Sequence, residues 1–581
     1  MIQSLRNSIF ACLKSFSRDG LAEYSAEDVL IDSPGDVNLG ELYTNAALVF
    51  AKTLKMNPRA LANNIAAALT KNDNVSNVDI ADPGFINFKL KPCAWHSTID
   101  EILASGDTYG SSNKGRGEVV NVEFVSANPT GPLHTGHARN AVFGSVIANL
   151  LEKIGYKVTK EFYINDQGNQ IKALSRSIYL RYRECLGTKI NKSDFSGNDM
   201  YLGEYVKGIA KNLADLYGDE FLNKKESEWI TSISQFAVKK MMDNIKGDLS
   251  LLGINMDVYT SETAVCKKNM VNEALAILAS EGDIYDGIIP KPKGIDAKDW
   301  EEKPQTLFRS TKYGDDIDRA IRKSDGTWTY FAGDIAYHLD KIQRGFKKMV
   351  NVLGADHTGY IKRIKAAVKA LSGGEANIDI RLYQLVNFLE NGEQVRMSKR
   401  SGNFITLRDV VERVGKDITR FMMISRHHDV TIDFDFKKVA EHSMDNPIFY
   451  IQYAYARISS VFRNAAKIFE NISVEELKTS SKSCLQDETE IDLMKSLCFW
   501  PEQVASAAIA LEPHRIPHYL YKVSSLFHSL WNKGKTNTIL RFIDEKDRAT
   551  TIARLALLES TRIVLKDGLK LIGITPLEEM K

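Results

Sequence analysis

The stretch from Glu118 to Ile164 limits the fold more than any other. "EVVNVEFV" is a short β-rich run, and "SANPTGPLHT" then breaks every regular pattern with two prolines and a glycine. Phe143, Val146, Ile147, Leu150, Leu151 and Ile154 follow at helical spacing, and "YKVTKEFYI" closes the unit as a second strand. Strand, loop, helix and strand together form the building unit of a parallel sheet. The pattern returns twice, in "WTYFAGD" before "IAYHLDKIQRGF" and in "MVNVLGADH" before "TGYIKRIKAAVKALS". Both read as strand, Gly-containing turn, helix. The expected class is α/β, with a Rossmann-like parallel-sheet domain at its centre.

A chain of 581 residues has room for about two to four domains. Residues 1–112 read as an N-terminal α+β domain. Helical stretches run over Ile2–Phe16 and Gly40–Leu54, and a third opens at Pro58 and Arg59, which suit a first turn. "VDIADPGFINFKL" alternates as a strand does, and Gly106–Gly117 reads as a linker. The sheet domain covers 113–441 and is interrupted by a charged, mainly helical insertion at about 183–303. From 442 to 581 the pattern is helical throughout. Ile451, Tyr455, Ile458, Phe462, Ala465 and Ile468 form one amphipathic stripe, as expected of an all-α bundle.

A net charge of +2 says little about partners, although a neutral total is compatible with a basic face for nucleic acid. The six cysteines are scattered without a C-x-x-C pair, which argues against a disulfide framework and against a thiolate zinc site. No apolar run approaches the ~20 residues needed to span a bilayer, and the N-terminus lacks a signal-peptide core. The expectation is a cytoplasmic protein with no membrane partner. It is expected to be a monomer, since no extended heptad pattern is visible.

His134-Thr135-Gly136-His137 opens the helix after the first strand. Metal-binding histidines on a helix usually stand at i, i+4 with a third ligand, so the i, i+3 spacing here disfavours zinc. A helix start exposes unpaired N–H groups, and a glycine there lets a nucleotide approach the backbone. Histidines at such a place can donate hydrogen bonds to phosphate oxygens as charge builds up in transfer. Neither G-x-G-x-x-G nor G-x-x-x-x-G-K-[ST] is present where a dehydrogenase or a P-loop NTPase would need it. The second element is "RMSKRSGN", Arg396 to Asn403, in which a lysine could reach leaving phosphates.

The pair "HTGH" and "RMSKRSGN" resembles the HIGH and KMSKS signatures of class I aminoacyl-tRNA synthetases. "VEFVSANPTGPLHTGHARNAV", "YFAGDIAYHLDK", "VLGADHTGYIKR" and "MSKRSGNFITL" narrow the resemblance to the arginyl-tRNA synthetase family. So do "DPGFINFKL", "NPIFYIQYAYARI" and "GLKLIGITPLEEM". The likeness spans almost the whole chain and leaves only the insertion poorly anchored. In the signature loop Arg396 replaces the usual first lysine and Arg400 the final serine, while Lys399 is retained.

The resemblance implies ATP-dependent ligation of L-arginine to tRNA(Arg) through an arginyl-adenylate, with Mg2+ carried by ATP and no zinc. It implies catalytic roles for His134, His137 and Lys399. ATP would be held by Gly136, Gly354, Asp356, His357, Met397, Ser398 and Lys399. Arginine would be held by Glu123, Ser126, Asn128, His137, Tyr330 and Asp334. The chemistry of the substrate agrees, because a buried guanidinium needs planar carboxylate acceptors. Glu123 and Asp334 are both expected at strand ends facing one crevice. Phe85 and Asn87 would meet the tRNA elbow, and Tyr453, Trp531 and Met580 the anticodon, since RNA loops are read by stacking on such side chains.

Three other readings stand beside this one. A cysteine- or methionine-specific synthetase should show zinc-ligand clusters, and a glutamate-specific one a basic pocket. A small-molecule nucleotidylyltransferase also uses a His-x-Gly-His helix start but leaves both flanking domains unexplained. A non-catalytic tRNA-binding relative would not need His134, His137 and Lys399.

Overall fold

The computed structural model describes residues 1–17, 19–34, 40–195, 200–289, 303–390, 392–395, 405–441 and 443–580. At the N-terminus, helices Ile2–Lys14, Ala46–Leu54 and Pro58–Thr70 accompany an antiparallel sheet of Leu42–Thr44, Phe85–Leu90 and Val75–Ala81, with Phe85–Leu90 in the middle. Asn57 caps the third helix by accepting from the N–H groups of Arg59 and Ala60, with Pro58 in the first turn.

Two sequence expectations change here. Leu42–Thr44, expected as helix, is a strand, because Leu42, Tyr43 and Thr44 pair with Phe88, Asn87 and Ile86 and that pairing overrides the helical period. "VDIADPGFINFKL" is not one strand but a hairpin turned at Asp82-Pro83-Gly84, with Gly84 N–H donating to Ala81 O.

The stretch Gly106–Gly117, expected as a linker, is packed. Tyr109 is buried and its hydroxyl donates to Leu497 O at 3.0 Å. Just before it, helix Pro92–Ser105 lies against helices Glu488–Cys498 and Arg548–Leu571 of the C-terminal bundle.

The central domain is built on five parallel strands. They are β1 (Val119–Glu123), β2 (Lys157–Ile164), β3 (Val258–Ser261), β4 (Lys348–Gly354) and β5 (Asn377–Tyr383), in spatial order β5-β4-β1-β2-β3. The chain runs from β1 outward to β3, then returns to the other side of β1 for β4 and β5. The order therefore reverses between β1 and β4, and a crevice opens beyond the carboxyl ends of strands at such a point. Helix α1 (Thr135–Lys153) follows β1, and α2 (Tyr330–Gln343) and α3 (Ile361–Leu371) flank β4 in sequence.

The interruption expected at 183–303 is divided by β3, which returns to the sheet by pairing Phe162 with Tyr259. Before β3, helices Asn169–Cys185, Glu204–Tyr217 and Glu226–Leu251 enclose their own core around Ile178, Tyr182, Trp229 and Ile233. After it, a small antiparallel sheet of Ile284–Gly287, Gln305–Phe308 and Arg319–Arg322 leads to α2.

"WTYFAGD" is likewise not a strand. Thr329 is the N-cap and α2 starts at Tyr330. Phe331, Ile335 and Leu339 are buried at helical spacing, and this face outweighs the β preference of the aromatics.

Two contacts fix α1 against its surroundings. A methyl group added at Gly144 would stand 2.3–2.7 Å from Phe124, the residue after β1. Gly144→Ala is expected to cost about 1–3 kcal/mol through overpacking, read as a lower melting temperature. On another face of α1, fully buried Arg420 donates to Ser145 Oγ, Leu252 O and Ile572 O at 2.7–3.0 Å. It thereby ties α1, the helical insertion and the C-terminal tail together. Burial lowers its pKa to about 10, so it remains a cation at neutral pH.

The C-terminal part consists of helices Pro447–Ile468, Val474–Thr479, Glu488–Cys498, Trp500–Ala510, Arg515–Thr536 and Arg548–Leu571, with no strand among the described residues. No described helix is long and apolar enough to cross a membrane.

Candidate active site

A cavity of about 710 Å³ opens where the strand order reverses. Its wall includes Glu123, Ser126, Asn128, His134, Gly136, His137, Tyr330, Asp334, Gly354, Asp356 and His357. Every described candidate for arginine, ATP or catalysis is thus brought to one place. Met397, Ser398 and Lys399 lie outside the described residues. The end of their segment is nevertheless placed: Thr406 bridges to His134, and Leu407 N–H donates to Leu133 O at 2.8 Å.

The two histidines define each other's geometry. His134 is the N-cap of α1, with Nδ1 accepting from Gly136 N–H at 3.1 Å. His137 Nδ1 accepts in turn from His134 N–H at 3.2 Å. The rings stack with centroids 3.7 Å apart. A nitrogen that accepts carries no proton, so each neutral ring holds its proton on Nε2. Both imidazoles are therefore fixed as Nε2–H donors at a helix N-terminus, where the backbone also favours an anion.

A methyl group at Gly136 would stand 3.0 Å from His134 Cε1 and 3.1 Å from Nδ1. Gly136→Ala is expected to push this ring aside and slow turnover by about tenfold, with the melting temperature almost unchanged. Steady-state turnover measurements and thermal melts check both halves.

The turn before the histidines is strained. Val125 and Ser126 have φ of 68° and 37°, unusual for residues with side chains. Asn140 of α1 holds this turn, with Oδ1 accepting from Val125 N–H at 2.8 Å and Nδ2 donating to Val352 O of β4. Ser126 Oγ donates to Glu123 Oε1 at 3.0 Å and accepts from Tyr163 N–H. One asparagine thus sets β1, β4 and the loop between them around the cavity.

The carboxylates differ from one another. Glu123 is buried and already paired, since Lys341 Nζ, 0% exposed, reaches its Oε2 at 2.6 Å. Asp334 stands in the second turn of α2, not at a strand end, and lines the cavity with Glu262, a residue the sequence did not single out. Among the described residues neither Asp334 nor Glu262 has a side-chain hydrogen-bond donor. Burial, then the Glu262 and Glu123 carboxylates, push Asp334 well above the usual carboxylate range, while Arg363 acts against them. Burial and Asp166 also raise Glu262. With Glu123 held by Lys341, Asp334 and Glu262 remain in the wall as carboxyls whose ionised form a bound cation would favour.

The other residues divide by exposure. Tyr330 is 85% exposed at the mouth, and exposed Asn128 donates to Gln170 Oε1 at 3.0 Å. Gly354 ends β4, where a methyl group would fall 2.5 Å from Asp356 Oδ1. Exposed Asp356 and His357 follow in a short 3-10 turn. The cavity also includes Tyr163, Gln384 and Tyr383, on which no sequence motif drew attention.

The proposed RNA contacts lie apart from the cavity. Phe85 is half-buried against Tyr43, and Asn87 is only 7% exposed within the N-terminal sheet. Tyr453 and Trp531 share one cation: the Arg457 guanidinium stands 4.0 Å from the first ring and 5.0 Å from the second. Met580 is half-buried.

Three family descriptions match the chain in succession: "Arginyl tRNA synthetase N terminal domain" over residues 3–90, "tRNA synthetases class I (R), catalytic domain" over 98–459, and "DALR anticodon binding domain" over 451–580. The chain belongs to the arginyl-tRNA synthetase family. Among its relatives, an arginine–tRNA ligase of Parvibaculum lavamentivorans is 49% identical over 98% of each chain. One of Wolbachia pipientis wMel is 48% identical over the whole of both. A crystal structure of a putative arginyl-tRNA synthetase from Campylobacter jejuni matches 84% of this chain and all of its own, with 31% identity and a TM-score of 0.72. That of Thermus thermophilus shares the fold over the full length of both chains, with a TM-score of 0.70 at 20% identity.

Proposed function

We propose that the chain joins L-arginine to tRNA(Arg) in two steps, with the cavity at the β1/β4 reversal holding arginine and ATP side by side. In the first, an arginine carboxylate oxygen attacks the α-phosphorus of ATP, the bond to the β-phosphate oxygen breaks, and pyrophosphate leaves. In the second, the terminal ribose hydroxyl of the tRNA attacks the adenylate carbonyl and AMP leaves.

Asp334 and Glu262 take the guanidinium as planar acceptors, and Glu123, held by Lys341, closes the wall behind them. Tyr330, Ser126 and Asn128 line the path of the amino acid. His134 and His137 direct Nε2–H groups at the phosphates, and Gly136 lets the nucleotide approach the helix start. Gly354, Asp356 and His357 border the adenosine. Lys399, with Met397 and Ser398, steadies the leaving pyrophosphate from the segment that ends beside His134. Catalysis is then mainly positioning and charge stabilisation. Magnesium arrives on ATP oxygens and offsets phosphate charge, and zinc is assigned no part in the chemistry.

Phe85 and Asn87 meet the tRNA elbow, and Tyr453, Trp531 and Met580 the anticodon. The working unit is taken to be one cytoplasmic chain.

The observation that carries this reading is the acidic wall of Asp334 and Glu262, without a side-chain donor among the described residues, in the same cavity as the two stacked histidines. The test is charging of total tRNA with each of the twenty amino acids separately. Charging with arginine alone is expected; charging with another amino acid in its place, by folded protein, would sink the proposal.

A further inference from the structure

Away from the cavity, two distant segments bring together donors that the sequence gave no reason to connect. His427 lies in the loop before strand Ile432–Asp435, and Glu512 and His514 lie between helices Trp500–Ala510 and Arg515–Thr536. One ligand atom from each falls within 4.8 Å of the others, and all three residues are half-buried.

The hydrogen bonding around His427 limits what can occupy this place. Asp429 Oδ1 contacts His427 Nδ1, and a carboxylate only accepts, so Nδ1 carries the proton. Nε2 of the neutral ring is then a lone pair, and it faces Glu512 Oε1 at 3.5 Å. Two acceptors that close need a cation between them. A proton would serve two of the groups, but His514 stands beside them with its ring 4.8 Å from that of His427 and its buried Nδ1 without a partner among the described residues. Three donors converging from two segments suit a metal ion better than a proton. Asp429 then plays the carboxylate that orients a metal-bound histidine.

We propose that His427, Glu512 and His514 hold a divalent first-row transition-metal ion that clasps the catalytic domain to the helical bundle. Two histidines and one carboxylate are a ligand set such ions accept, with water completing the shell. On the bundle side, Arg515 holds the other Glu512 oxygen at 2.6 Å. On the catalytic side, Arg139 of α1 donates to the carbonyls of His427 and Val430 at 2.9 and 2.8 Å. The ion would therefore connect the bundle to the helix that bears His134 and His137. This site is independent of the substrate reading, and it departs from the sequence expectation of no zinc.

The test uses the full chain, stripped with a chelator and titrated with Co2+ and then Zn2+. One equivalent of Co2+ is expected to give visible d–d absorption that Zn2+ abolishes, and Zn2+ should raise the melting temperature. Glu512→Gln and His514→Gln should lose both responses while still charging tRNA, which shows that they fold. Asp429→Asn should weaken Co2+ binding by about 10–100-fold. Absence of the Co2+ spectrum, or equal binding in wild type and both ligand variants, overturns the proposal. So does a melting temperature that rises on acidification and ignores metal, because a proton would then be the bridging cation.

Discussion

Asp334→Asn is expected to raise the KM for arginine by roughly 10²–10³-fold while leaving the KM for ATP within about twofold. Truncating one partner of a buried, hydrogen-bonded charge pair costs about 3–5 kcal/mol, and an asparagine amide also turns donors toward the guanidinium. The same change should stabilise the unliganded protein. A carboxyl whose folded pKa lies above its unfolded value of about 3.9 binds protons more tightly when native. Its stabilising contribution is complete below the unfolded value and is lost as pH rises through the folded one.

Above that folded value the ionised Asp334, near Glu262 and Glu123, works against the fold, and removing its charge should raise the melting temperature there. Arginine reverses the balance, because a guanidinium favours the ionised carboxylate. Binding in the range where Asp334 is protonated should release protons, and arginine affinity should fall as pH is lowered. Calorimetry in two buffers of different ionisation enthalpy measures that release, which should be much reduced in the Asn variant.

His134→Asn is expected to lower the rate of adenylate formation by roughly 10²–10³-fold with a small effect on arginine KM, the loss typical of removing one preorganised donor. Asparagine Oδ1 takes the place of His134 Nδ1 and can still accept from Gly136 N–H, so the helix cap survives. What disappears is the Nε2–H and the ring stacked on His137. His134→Gln makes the opposite exchange, losing the cap acceptor but placing a polar group near the former Nε2. If the histidine acts on phosphate, Gln should be less stable yet faster than Asn in single-turnover charging. If its contribution were only the cap, the order of the rates would reverse.

Much of this arrangement was legible because the catalytic core is built from local patterns. β1, the two prolines and the apolar period of α1 announce a strand and a helix start, and the histidines fall at that start. β3 was not legible: "VYTS" is four half-buried residues with no apolar run, and only its pairing with β2 makes it a strand. Tyr330 and Phe331 read as β because aromatics favour strands, yet the burial of Phe331, Ile335 and Leu339 makes them the start of a helix. Glu123 could be recognised as a carboxylate at the end of a strand. Its partner Lys341, 218 residues later, could not, because nothing in a sequence marks which lysine will be fully buried. Glu262 was missed for the same reason: its meaning comes only from lining the same cavity as Asp334.

The central claim is that the Asp334 and Glu262 carboxylates in this cavity select the amino acid by its positive charge. Citrulline has nearly the shape of arginine, with a neutral urea in place of the guanidinium. The direct measurement is kcat/KM for charging tRNA with arginine and with citrulline by the same protein. A preference for arginine of at least about 10³-fold is expected, shrinking sharply in Asp334→Asn. Comparable charging of citrulline by the unaltered chain would contradict the claim.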